Sequence, residues 1–149
     1  LQTNRKGYVL VVDAALCTPA SEQNEAELTL KETLAMDEAI ETAAAQAGQK
    51  SLIVAVGKHA TGGLSLNGYP PRKDRGVALL GTSPAGYPYF AWTTGPHGPT
   101  AKNEPSAFQA SPALNTAEDM VAAGKGVGAE KIHGFMDNTG IFKVLRDAL

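Results

Sequence analysis

The chain has 149 residues, of which 43% are hydrophobic and 19% charged, which is enough for one globular domain with its own core. The formal net charge is −2, and no arginine- or lysine-rich run occurs, so nucleic acid is not expected as a partner. The longest apolar runs are too short to span a membrane, and the single cysteine excludes an intrachain disulfide. The first residue is Leu and no secretory signal is present, so we expect a processed product or an excerpt.

Residues 7–59 have the pattern of a βαβ unit. Residues 7–16 form a valine-rich apolar run, which favours a strand buried on both faces of a parallel sheet. Asn24 and Glu27 have the spacing of a capping box, and apolar residues at helical spacing follow them. Residues 51–56 (SLIVAV) have the pattern of a second buried strand. Strand, helix and strand in this order predict a right-handed crossover.

Residues 60–117 differ in composition from the preceding segment, because they are dominated by glycine, proline, asparagine and serine. Only residues 87–94 have the pattern of a strand. The segment is too long for a simple connection. We therefore expect a loop-rich excursion from the sheet, or a small subdomain, and a protein interface is one place for it.

Residues 118–149 return to regular structure. Residues 119–126 suit a short strand, and a C-terminal helix follows with Asn138 or Thr139 as its cap. The apolar positions of this helix predict an inner stripe made of Ile141, Phe142, Leu145 and Leu149.

Three blocks of the sequence carry a family resemblance. They are ELTLKETLAMDEAIETA, LIVAVGKHATGGLSLNGYPP and NTAEDMVAAGKGVGAEKIHGFMDNTGIFKVL. In this order and spacing they resemble the C-terminal part of an alkaline phosphatase, from about residue 7 to the end. The resemblance implies an α/β/α sandwich with a mostly parallel sheet. It also implies a family of metal-dependent phosphomonoesterases that use two zinc ions, one magnesium ion and a serine nucleophile, in a periplasmic or extracellular location.

The resemblance also identifies six positions at which the family holds its metals. In the family the first strand ends in an acidic residue, with an Asp five residues on and a His four residues further. The second strand ends in Asp-His, and the last zinc ligand is the His of HTAED. The corresponding residues here are Asp13, Thr18, Glu22, Lys58, His59 and Asn115.

These substitutions argue against the family's metal chemistry. Zinc prefers nitrogen, sulfur and carboxylate ligands, so Thr18 and Asn115 are poor replacements. The ammonium of Lys58 has no lone pair and repels a cation. We therefore expect no zinc or magnesium cofactor, and only Asp13, Glu22 and His59 remain as weak metal candidates. Lys58 is either a tolerated change at a wet strand end, an ion-pair partner of Asp13 or Glu22, or an anion-binding group.

Catalytic residues are not predicted, because no serine of this chain lies in a context that resembles the family's nucleophile. We expect the isolated chain not to act as an enzyme. Three hypotheses remain. The chain is a degenerate structural or binding subunit, a phosphomonoesterase fragment active only with its N-terminal half, or a metal-free module that binds phosphate. An incomplete sheet leaves an edge and an apolar face uncovered, so we expect a partner. That partner is an N-terminal phosphatase half on another chain or a second copy.

Overall fold

The computed structural model describes residues 3–4, 7–67, 85–86 and 89–149. It is a mixed α/β structure, as expected at that level. Three helices are described: α1 (Cys17–Glu22), α2 (Ala26–Gln46) and α3 (Asn138–Ala148). The strands are β1 (Leu52–Val56), β2 (Ala60–Thr61), β3 (Ser65–Leu66), β4 (Phe90–Gly95), β5 (Ser106–Gln109), β6 (Asn115–Thr116) and β7 (Ala122–Gly126), and a 3-10 turn covers Ala129–Lys131.

The described strands form three small sheets. Strands β1 and β7 pair antiparallel, and so do β2 and β6. In the third sheet, β4 pairs antiparallel with β3 and parallel with β5. The expected mostly parallel sheet is not confirmed, since β1 pairs antiparallel with β7 and residues 7–14 have no regular secondary structure. An apolar run becomes a strand only when a neighbouring strand takes its backbone hydrogen bonds.

The chain divides into two compact units. The first unit comprises Leu1–Asp13, Met36–Lys58 and Met120–Leu149, and the second comprises Ala14–Ala35 and His59–Asp119. The first therefore holds the β1–β7 sheet and α3, and the second holds the other two sheets. The predicted strand at 87–94 is found as β4 within the second unit, although residues 87 and 88 lie outside the described part.

The core of the second unit is built from Ala26, Phe90 and Trp92, which are 0–2% exposed. Phe90 and Trp92 lie two residues apart on β4, so the strand's alternation directs both rings to one side. Partly buried hydrophobic side chains then pack against this cluster, namely Leu30, Leu64 and Tyr89. The N-terminus of α2 is thereby anchored to the middle of β4.

The start of α2 differs from the predicted capping box. Asn24 has a positive φ of 57° and is 1% exposed, and its Nδ2 donates to the Thr94 carbonyl at 3.0 Å. The helix is capped from a distance, because a carboxylate oxygen of Glu104 accepts from the Ala26 N–H at 2.9 Å. The same oxygen accepts from the indole N–H of Trp92 at 2.9 Å. A residue 78 positions away thus satisfies a helix donor that the sequence pattern assigned to a local side chain.

The first unit is held by the β1–β7 pairing, with Leu52 opposite Gly126 and Val56 opposite Ala122. Gly126 has a φ of +105°, and a Cβ there would overlap the carbonyl oxygen of Ser51. Close backbone approach at this end of the sheet therefore requires glycine.

The N-cap of helix α3 lies one residue before the first predicted cap, Asn138. Asp137 is the N-cap, and its side chain accepts from the Thr139 N–H at 2.9 Å and from the Thr139 hydroxyl at 2.8 Å. The backbone and then the side-chain hydrogen bond from Thr139 lower the pKa of Asp137. The predicted inner stripe is wrong for three of its four members. Val144 is the buried residue of this helix. The exposed side chains include three predicted members of the stripe, Phe142, Leu145 and Leu149.

The first unit consequently carries much exposed apolar surface. Val9, Leu10 and Val11 are 62–83% exposed, and Phe135 is 85% exposed. Exposed apolar surface of this extent is unusual for a self-sufficient fold. Among the described residues, no helix combines the length and apolarity that a membrane crossing requires.

Candidate functional site

The first pair of predicted site residues lies just after β1. The Gly57 N–H donates to the carbonyl of Val121, the residue before β7, at 3.2 Å. This hydrogen bond extends the β1–β7 pairing by one residue. Lys58 follows, and its Nζ lies 3.2 Å from Oδ1 and 3.4 Å from Oδ2 of Asp13. The ammonium thus faces both oxygens of the acid. Both side chains are about 60% exposed, so this is a solvated ion pair.

His59 and Asn115 are linked through Thr61, which was not among the predicted site residues. Strands β2 and β6 place Thr61 directly opposite Asn115. The Thr61 hydroxyl donates to Oδ1 of Asn115 at 2.9 Å, and its oxygen lies 3.1 Å from Nδ1 of His59. The three side chains form a continuous hydrogen-bonded row at the exposed end of this small sheet.

Thr18 and Glu22 belong to α1 and are half-buried. A separation of four residues places them on the same face of the helix. The backbone carbonyl of Glu22 accepts from the Ala113 N–H at 2.9 Å, which ties the end of α1 to the segment that leads into β6.

The six predicted positions are divided between the two units. Asp13 and Lys58 contact each other in the first unit. His59 and Asn115 share Thr61 in the second unit, in which Thr18 and Glu22 occupy one helical face. Within the part of the chain that the structure describes, no three His, Cys, Asp or Glu side chains converge as a metal site would require.

A separate open cleft of about 570 Å³ lies in the second unit, beside the start of α2. Glu27, Lys31, His97 and Glu104 are among the residues that line it. Three of its charged groups have partners within the unit, because Lys31 pairs with Glu27 at 2.6 Å and Glu104 caps the helix. The Glu27 carboxyl has a lowered pKa, because Lys31 donates to it and also attracts it electrostatically.

Thr61 and Glu104 are the residues that sequence reasoning missed. A signal for Thr61 was available, since residues 59 and 61 lie two apart in an extended segment and so point to the same side. No such signal exists for Glu104. Its partners lie 12 and 78 residues away, and only the folded chain brings them together.

Comparison with known proteins assigns the class. The family model for alkaline phosphatase matches residues 1–87, which is more than half of the chain. The chain therefore belongs to the alkaline phosphatase family. It is 39% identical over 83 residues to a membrane-bound alkaline phosphatase of Bombyx mori. That match covers 55% of this chain but 14% of the relative, so the chain spans about one-seventh of the relative's length. Asn115 lies beyond the segment that the family model matches.

Proposed function

We propose that this chain is a degenerate, non-catalytic member of the alkaline phosphatase family that serves as a structural or binding subunit and needs a partner. The observation that carries the proposal is the contact between Lys58 and Asp13 at 3.2 Å. The family resemblance gives Lys58 the place of a metal-binding Asp. An ammonium there adds a positive charge and partly neutralises the acid that would otherwise attract a cation. Lys58 therefore takes over part of a metal ion's electrostatic role.

The remaining positions support the same proposal. The hydroxyl of Thr18 and the amide of Asn115 are weaker zinc ligands than the carboxylate and imidazole that they replace. Asp13 faces an ammonium rather than an open coordination position. These residues do not fit the two zinc ions and one magnesium ion of the family. We therefore derive no catalytic step through a metal and assign no catalytic residue.

The need for a partner is supported by the first unit's surface. Its sheet has two strands, which is a marginal arrangement when it stands alone. In the same unit, Val9, Leu10 and Val11 are 62–83% exposed. We propose that the rest of an alkaline-phosphatase-like α/β/α sandwich covers these residues. It would be supplied by an N-terminal phosphatase half or by a second copy, and residues 7–13 would then join a mostly parallel sheet as a strand. We also propose a periplasmic or extracellular location for this chain, because the family resemblance implies one.

Elemental analysis of the native protein, combined with its mass in solution, tests the proposal directly. We expect a metal-free assembly larger than one chain. Two zinc ions per chain would overturn the proposal. A metal-free monomer would contradict the part of the proposal that requires a partner chain.

Variants at the substituted positions sharpen this test. Because the Lys58–Asp13 pair is solvated, Lys58→Ala should change the free energy of unfolding by less than about 1 kcal/mol. Zinc affinity is the more sensitive readout. We expect calorimetric titration to detect no zinc binding by the unsubstituted chain or by Lys58→Ala. The double variant Lys58→Asp with Asn115→His regains two family-type ligands and should bind zinc more tightly. Equal zinc affinity in all three proteins would contradict the assigned role of Lys58.

A second candidate is a fragment of a metal-dependent phosphomonoesterase that works only with its N-terminal half. The match over residues 1–87 to the alkaline phosphatase family favours it. Its test is to mix the chain with a recombinant N-terminal half in the presence of zinc and magnesium and to measure hydrolysis of a phosphomonoester. Turnover that neither part has alone would replace the first proposal with this one.

A third candidate is a metal-free phosphate-binding module. Its support is the exposure of Lys58, which retains ammonium protons for a ligand beyond those facing Asp13. Titration with inorganic phosphate in the presence of a chelator tests it. Saturable binding that Lys58→Ala abolishes would support this candidate.

A further inference from the structure

The hydrogen-bonded row of His59, Thr61 and Asn115 determines which ring nitrogen of His59 carries the proton. The Thr61 hydroxyl has one hydrogen, and it is donated to Oδ1 of Asn115 at 2.9 Å. The Thr61 oxygen lies 3.1 Å from Nδ1 of His59. Because its one hydrogen is already donated to Asn115, this oxygen can only accept a hydrogen bond from Nδ1. An acceptor at this distance requires a proton on Nδ1.

We infer that Thr61 and Asn115 hold the neutral ring of His59 in the Nδ1–H tautomer, so that Nε2 presents a lone pair. Thr61 is thus a positioning residue for His59. Asn115, whose position the resemblance assigns to a metal ligand, has a different role here, because its carbonyl oxygen orients the Thr61 hydroxyl. His59 is exposed, so this lone pair is accessible to a ligand.

The backbone supports this arrangement. Thr61 and Asn115 are directly opposite in the β2–β6 pair, a position at which side chains contact across strands. The next residue, Gly62, donates its N–H to the Leu114 carbonyl at 2.9 Å and has a φ of +76°. A Cβ at Gly62 would lie 2.7 Å from the Trp92 ring, so the glycine packs closely on the buried core. The strand end that carries Thr61 is therefore fixed.

The tautomer limits what His59 can bind. With its proton on Nδ1, the neutral ring accepts a hydrogen bond at Nε2 and has no proton there to donate. Among hydrogen-bonding ligands, the class that fits is a group with an O–H or N–H to donate. A fully ionised phosphate has only acceptors, so the neutral ring gives it no hydrogen bond at Nε2. This inference stands independently of the degenerate-subunit proposal, since it concerns only the three side chains.

Nitrogen NMR of the full chain with labelled histidine, recorded at about pH 8.5 where an ordinary imidazole is neutral, reports the tautomer directly. We expect the Nδ1–H form to predominate at His59. Thr61→Val removes the hydroxyl at nearly constant volume and should lower the ratio of Nδ1–H to Nε2–H by about three- to ten-fold. Thr61→Ser retains the hydroxyl and should keep the ratio.

Substitutions at Asn115 provide a second test that leaves Thr61 in place. Asn115→Asp offers only acceptors, so Thr61 still donates to it and the Nδ1–H form should persist. Asn115→Leu frees the Thr61 proton to be donated to Nδ1, which should favour the Nε2–H form. A predominant Nε2–H tautomer in the unsubstituted chain would overturn the inference, because it would mean that the Asn115 amide donates to Thr61. An unchanged ratio in Asn115→Leu would also overturn it.

Discussion

Replacement of Glu104 by alanine should be among the most damaging single changes in the second unit. One carboxylate oxygen of Glu104 accepts from the Ala26 N–H and from the Trp92 indole N–H, each at 2.9 Å. Ala26 and Trp92 are 0% and 2% exposed, so both donors lose their partner in a buried environment. An orphaned buried donor costs about 1–3 kcal/mol. Because Glu104 itself is half-buried and lines an open cleft, water can replace part of the loss, and we expect about 2–4 kcal/mol in total.

Glu104→Gln separates the hydrogen bonds from the charge. Its carbonyl oxygen can accept from both donors, and only the charge at the N-terminus of α2 is lost. We therefore expect the glutamine variant to lose about 0.5–1 kcal/mol.

Urea unfolding followed by tryptophan fluorescence measures both variants, since Trp92 is the chain's single tryptophan and lies in this contact. Glu118→Ala, at an exposed position of the same unit, is the matched control and should change the unfolding free energy by less than about 0.5 kcal/mol. If Glu104→Ala and Glu118→Ala had equal midpoints and equal Trp92 emission, the assignment of Glu104 as a cap would be refuted.

Three further predictions concern positions fixed by close contacts. Gly95→Ala would place a Cβ on the buried side-chain amide of Asn24 and should destabilise the chain by about 2–3 kcal/mol, as measured by urea unfolding. Gly126→Ala combines a φ of +105° with overlap on the Ser51 carbonyl oxygen and should cost about 3 kcal/mol or more, with faster hydrogen exchange of the β1 amides. The lowered pKa of Asp137 means that its stabilisation of α3 is complete above the ordinary aspartate pKa of about 3.9. It is lost as the pH falls through the lower folded-state pKa, which thermal unfolding at a series of pH values detects.

Each of these predictions has a control within the chain. Gly48→Ala meets no atom within 4 Å and should leave stability nearly unchanged, so equal losses at Gly48 and at Gly95 or Gly126 would contradict the contact argument. Asp137→Asn retains a good N-cap but does not titrate in this range. Its thermal stability should fall less steeply in acid than that of the unsubstituted chain, and identical slopes would contradict the Asp137 assignment.

Local patterns predicted several elements well, because the interactions that define them are close in sequence. The helix after residue 24 and the apolar strand at 51–56 are found as α2 and β1, and the strand within 119–126 is β7. Periodicity and breakers report such elements directly. The direction of strand pairing was not accessible in this way, because it depends on which strand lies alongside.

The C-terminal helix illustrates the limit for burial. Its apolar spacing is compatible with more than one inward face, and the structure buries Val144 while exposing Phe142 and Leu145. Periodicity identifies an amphipathic helix, but the neighbouring elements decide which stripe they cover.

The sequence by itself determined the family and the mixed α/β class, and its resemblance to the family predicts which residues occupy the six metal positions. Those conclusions need only residue types in order, since a lysine cannot serve as a metal ligand wherever the chain places it while it stays charged. Tertiary structure decided the contacts. It paired Lys58 with Asp13, joined His59 to Asn115 through Thr61, and assigned the cap of α2 to Glu104. Hydrogen bonds and ion pairs act over a few ångströms, so partners separated by tens of residues are fixed only when the backbone brings them together.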